Sequence, residues 1–218
     1  MAAPALPRRT LLLAAPALLM SRGLAAAVPP GNRIAFGVTR NDSPIGTHVL
    51  EFAREGGDVR VSIAIDFAVR FLGVTAFRYT HRNTELWRGD RLISIASTTD
   101  NNGTPLAVKA LAQGRGIAVE GTESGAYVAP EEAISTSYWH AAFLRGQKID
   151  TQGGRLLSTS LERLGEEEVT VAGRQVPATR WRITGDLTLD IWYDRSGGWS
   201  ALRFVRGDGS VIRYARTA

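Results

Sequence analysis

The chain is 218 residues long, 44% hydrophobic and 22% charged, with a formal net charge of +5 and no cysteine. That length supports a core of its own, the apolar content is too high for a disordered chain, and the missing cysteines exclude a fold stapled by disulfides. The surplus charge is spread along the chain without a basic run of the kind that tracks phosphates, which argues against nucleic acid as a partner.

Residues 1–27 read as an export signal. Arg8 and Arg9 precede an apolar run from Leu11 to Met20, and small residues follow, ending in Ala25, Ala26 and Ala27. The run is too short to stay in a membrane as a helix, which needs about 20 apolar residues, and an Ala-x-Ala ending suits signal peptidase, so cleavage is expected near Ala27. The Arg8-Arg9-Thr10 start also resembles a twin-arginine signal with partly matching flanks. A Sec signal with a basic start gives the same pattern. Removal takes away Arg8, Arg9 and Arg22 and no acid, leaving a mature chain near neutrality in the periplasm.

Beyond the leader, residues 28–218 read as a single domain of short alternating runs separated by Gly, Asn and Asp. Strands are expected near 33–40, 45–54, 58–71, 74–82, 84–88, 91–98, 105–111, 115–121, 155–163, 167–172, 175–184, 186–194, 199–206 and 210–216. The run from Val59 to Phe71 is the clearest. Every odd position is apolar, from Val59 and Val61 through Ile63, Ile65 and Phe67 to Val69 and Phe71, which is the period of a strand with one buried face. Short polar connections make the neighbours antiparallel, because parallel neighbours need crossovers of a dozen or more residues.

One connection is longer, between Gly125 and Gly153. Pro130, Glu131 and Glu132 suit a helix entrance, Ser135, Thr136 or Ser137 a second cap, and Tyr138, Ala141, Ala142 and Phe143 or Leu144 a short apolar stripe. At the end of the chain, a three-residue Gly207-Asp208-Gly209 turn with Gly209 left-handed sets Leu202 opposite Tyr214 and Phe204 opposite Ile212. That register also sets Arg203 against Arg213, which needs water or an acid from the next strand between them. The fold class is therefore all-β and mainly antiparallel, a strongly curved sheet or half-barrel with one short helical insertion across its concave side.

Six runs, PIGTHVLEF (44–52), YTHRNTELWRGDRL (79–92), TDNNGTPLAV (99–108), SYWH (137–140), WYDRSGGW (192–199) and GDGSVIRY (207–214), together resemble in order the DUF6134 family of exported bacterial proteins of unknown function. No activity comes with that resemblance. More distantly, the design is similar to the half-barrels of periplasmic lipoprotein carriers, which implies an apolar concave face able to hold an acyl chain.

No catalytic signature accompanies these elements. His48, His81 and His140 lack the HxH or HExxH spacing of a zinc site, so no metal is expected. Glu85 beside Trp87 lacks a second carboxylate at a defined distance, and Ser210 in GDGS begins a strand rather than a nucleophile elbow. The Gly-rich pieces AQGRGIAV and TQGGRL lack the phosphate-loop GxxxxGK[ST], and no cofactor is called for. The function read from the chain is binding of an apolar ligand, such as a lipid, or of an envelope partner on the concave face, with Phe67, Phe71, Tyr138, Trp139 and Phe143 as the gripping residues. The alternatives are a hydrolase of an envelope component, using His48, His81, Glu85 or His140, and an outer-membrane β-barrel. Arginines on both faces of 175–184 and 199–206 oppose the barrel.

Overall fold

The computed structural model describes residues 28–218, so the expected leader lies outside the described residues. A first meander runs through β1 (Arg33–Arg40), β2 (Ser43–Glu55), β3 (Asp58–Phe71), β4 (Val74–Arg88), β5 (Arg91–Asn101), β6 (Thr104–Gln113), β7 (Gly116–Gly121) and β8 (Gly125–Pro130). A crossing segment follows with β9 (Ile134–Ser135), a 3-10 turn (Ala141–Leu144), β10 (Lys148–Ile149) and β11 (Leu156–Leu157). The second meander is β12 (Thr159–Val171), β13 (Arg174–Gly185), β14 (Leu189–Asp194), β15 (Trp199–Val205) and β16 (Val211–Arg216).

The last strand pairs antiparallel with the first. This joins the meanders into one 13-stranded sheet with β12 and β8 at its edges. The sheet is curved and not closed. Segments β9, β10 and β11 form a separate small sheet, in which β9 and β10 are parallel.

The period-two expectation holds along β3. Val61 and Ile63 are buried, whereas Ser62, Asp66 and Arg70 are exposed. Register carries this inner face across the sheet in rows: Phe36, His48, Ile65, His81 and Thr99 form one, and Leu50, Ile63, Asn83 and Ser97 the next. Trp87, Trp199, Phe36 and Phe143 are among the largest fully buried side chains.

The closing hairpin follows its expected register. Leu202 pairs with Tyr214, Phe204 with Ile212 and Arg203 with Arg213, while Gly209 takes φ +80°. The like-charged pair is relieved from both sides: Asp190 of β14 lies 3.8 Å from the Arg203 guanidinium, and Asp42 accepts from Arg213 at 2.7 Å.

Two expectations need correction. The helical insertion is only the four-residue 3-10 turn, capped by His140, whose Nδ1 accepts from the Ala142 amide at 2.8 Å. The serines expected to cap it are engaged with Glu85 instead, and Gly146 at φ +60° ends the segment. Pro130 ends edge strand β8, where its missing N–H costs no ladder bond, rather than opening a helix. The second correction concerns strand lengths. The runs 74–82 and 84–88 are one strand continuous through Asn83, and 155–163 and 167–172 largely merge into β12, whose register shifts between Arg163 and Gly165.

Candidate functional site

Strand β4 turns a polar stripe toward the concave side. Tyr79, His81, Asn83, Glu85 and Trp87 alternate with outward residues such as Arg82, so all five share the inner face. Beside them on the same inner face, β2 supplies His48 and β3 supplies Ile63, Ile65 and Phe67. The crossing segment lies over this surface.

Tyr138 holds a left-handed backbone, φ +65°, a conformation costing on the order of 1–3 kcal/mol for a residue other than glycine. The neighbouring structure fixes it. The Tyr193 hydroxyl donates to the Tyr138 carbonyl at 2.6 Å, and the Tyr138 ring packs edge-on to Phe143 at 4.9 Å and tilted against Trp199 at 5.3 Å.

The concave side of the sheet holds a cleft with two lobes, of which the inner one is also bordered by the crossing segment at Thr136, Ser137 and Tyr138. The inner lobe, about 270 Å³, is lined by His48, Ile65, Phe67, Tyr79, His81, Asn83, Tyr138 and Tyr214 among others. The outer lobe, also about 270 Å³, is walled mainly by Ile45, Phe67, Val69, Phe77, Phe204 and Ile212. Phe67, Phe77, Phe204 and Arg206 border both lobes, so the two adjoin at these side chains. Larger hollows of about 510 and 620 Å³ are open dishes on the outward face, over residues such as Ala64, Ala96 and Ala118.

The inner lobe is polar, and Arg206 is the one charged side chain among its lining residues. Phe67, Tyr79 and His81 stack in a column with centroids 5.7 and 6.4 Å apart. Burial, with a small addition from Arg82, pushes the His81 imidazole down to about 4, and its Nδ1 lies 2.8 Å from the Thr99 hydroxyl. His48 is enclosed by the rings of Phe36, Trp199 and Tyr214. Burial, reinforced by His81, lowers it to about 3, and neither ring nitrogen has a hydrogen-bond partner. The Asn83 amide nitrogen donates to Glu85 Oε1 at 2.8 Å, which fixes the amide's orientation and leaves its buried oxygen unpartnered.

Glu85 itself is fully buried. Its other oxygen accepts from the Trp87 indole at 2.8 Å and from the Ser137 hydroxyl at 3.0 Å. Burial raises its carboxyl above the ordinary carboxylate value despite these donors. It is absent from the lining of either lobe.

Of the apolar candidates, Phe67 and Tyr138 line the cleft. Trp139 and Phe143 lie in the core beneath it: Trp139 packs on Phe52 at 5.1 Å and Trp87 at 5.4 Å, and Phe143 carries the Lys148 ammonium 5.3 Å from its ring. For Phe71 only the backbone, opposite Val74, is described. Of the polar candidates, His48 and His81 share the inner lobe, whereas His140 stacks on Trp87 at 5.1 Å with its Nε2 3.4 Å from Asp90. Among the described residues no group of three or more His, Asp or Glu side chains is placed to hold a metal ion. The Ser210 hydroxyl donates to Asp208 within its hairpin turn.

Sequence reasoning missed Tyr79, Asn83, Phe77, Phe204 and Tyr214 as lining residues. The alternation in YTHRNTELW was available to find the first two, but dividing the strand at residue 83 hid it.

A family model described as domain of unknown function (DUF6134) matches residues 36–217. Among solved structures, the chain is similar to a β-barrel-like protein of domain of unknown function DUF1849 from Brucella abortus. The TM-score is 0.60 and the identity 11%, over 84% of this chain and 94% of that one. At that identity the likeness concerns the fold alone. No curated protein matches the sequence.

Proposed function

The chain belongs to the DUF6134 family, and on that footing we propose that it is an exported protein that holds one apolar small molecule in its concave cleft. The observation carrying this is the pair of adjoining hollows on the concave side, with Phe67, Phe77 and Phe204 bordering both. An interior of this kind normally packs solid, and a concave, mainly apolar space with a few polar groups at one end is the usual form of a ligand site. Export is supported by the Arg8-Arg9, Leu11 to Met20 and Ala25 to Ala27 pattern.

The test is native mass spectrometry of the full chain expressed with its own leader and released from the periplasm without detergent. The expected result is a polypeptide that begins at Val28 and carries a non-covalent adduct lost on activation. Repeated recovery of adduct-free protein would overturn the binding reading. Retention of residues 1–27 would overturn the export reading.

A further inference from the structure

The two lobes differ in chemistry, and the difference constrains what fits. The outer lobe is walled mainly by phenyl and aliphatic groups, with Arg40, Arg206 and Asp208 also bordering it. At the inner end, a fully buried imidazole and a buried amide oxygen have no protein partner. Leaving such groups dry and unpaired is costly, and an apolar occupant at that end would do so.

We infer that the ligand is an amphiphile whose buried end is an uncharged hydroxyl group, lodged in the inner lobe that His48 and Asn83 line, with its apolar body along Phe67, Phe77 and Phe204. This rests on the binding reading above and specifies the ligand class. A neutral imidazole presents one donor and one acceptor, and the Asn83 oxygen accepts. A hydroxyl both donates and accepts, so it matches this set, whereas a carboxylate or a phosphate monoester dianion can only accept.

Charge excludes the anion as well. Glu85 lies on the same face of β4 as Asn83 and is bonded to it, while the guanidiniums bordering the cleft belong to the outer lobe and rim: Arg40 is paired with Asp208 at 2.8 Å, and Arg206 sits exposed over the Phe77 ring, 5.6 Å from its centroid. Among the described residues lining the inner lobe, Arg206 is the only cation, and it is exposed. An anionic head would have to remain at the rim, with its tail against His48.

The experiment displaces the neutral fluorescent reporter N-phenyl-1-naphthylamine from the full mature chain at pH 8 with octan-1-ol or octanoate. Octan-1-ol is expected to compete at a concentration about tenfold below that of octanoate, the scale of one buried hydrogen bond. Relative to the reporter's affinity measured in the same variant, His48→Phe should weaken octan-1-ol about tenfold, and Asn83→Leu should act in the same direction. Octanoate competing as well as the alcohol, and losing affinity in Arg206→Ala, would place the head at the rim and overturn the inference. So would undiminished alcohol binding in both inner-lobe variants. In either case the reporter still binds and the wider reading stands. Failure of the reporter and both probes to bind wild-type protein defeats that reading itself.

Discussion

His48 is a basic side chain that the fold keeps neutral. Its pKa, lowered from 6.5 to about 3, means that the folded protein resists the proton the unfolded chain accepts. The stabilisation from this group is therefore complete above pH 6.5 and is lost as acid carries the solution down toward the folded value. Between pH 7 and pH 5 the loss is about 2 kcal/mol for one such histidine, and His81, lowered to about 4, adds a similar slope. In urea unfolding at the two pH values, His48→Phe should shrink the stability difference by about 2 kcal/mol. An unchanged difference would show that the imidazole is not held neutral. The alternation that puts Tyr79, His81, Asn83 and Glu85 on one face is present in the sequence, but only a strand continuous through Asn83 reveals it. Which atoms lack a partner was not legible, because that depends on Ser137, Tyr138 and Trp199, brought in from distant parts of the chain.

At the scale of elements, the closing hairpin was the most legible piece. Gly209 can take the left-handed position a three-residue turn requires, and the apolar pairs then fix the register. The acid that separates its arginines was foreseen in kind, but its identity depended on strand order. Asp190 is 2.5 Å from Arg180, 3.0 Å from Arg182 and 3.8 Å from Arg203, tying β13, β14 and β15 together on the outward face. Asp190→Asn should cost about 2 kcal/mol, because it leaves three guanidiniums beside a neutral group. Thermal unfolding checks this, and a midpoint within a degree of wild type would rule it out. Gly46 is constrained more tightly. It pairs with Phe67 at φ +150°, and a Cβ there would overlap the Asp66 carbonyl, so Gly46→Ala should destabilise the β2–β3 pairing by about 2 kcal/mol in the same assay. The crossing segment was the least legible element. Its helix-like stripe served another purpose, placing Trp139 and Phe143 in the core and Tyr138 over the cleft, and no local rule distinguishes these outcomes.

For the whole molecule, composition and alternation sufficed to give one curved antiparallel sheet, since the polar turns are short and the inner positions apolar. They did not give the cleft, because whether the concave side fills depends on how the crossing segment is seated. Trp139 separates support from lining. Buried between Phe52 and Trp87, it should cost about 3–5 kcal/mol when replaced by Ala, with reporter binding at the cleft nearly unchanged under conditions where the variant remains folded. Denaturant unfolding and reporter titration on the same preparation check both halves. Strong loss of reporter affinity without loss of stability would make Trp139 part of the wall.

The pairing of β16 with β1 bears on how the protein is made. The edge of β1 that receives β16 waits for residues 211–216, about 170 positions later in synthesis. Until then a nascent polypeptide carries two separate meanders, one with a bare apolar edge, so assembly is governed by a contact of very long range and should be slow. Any chain terminated before Val211 would keep that edge open and is expected to aggregate rather than to fold into a smaller version of the same sheet.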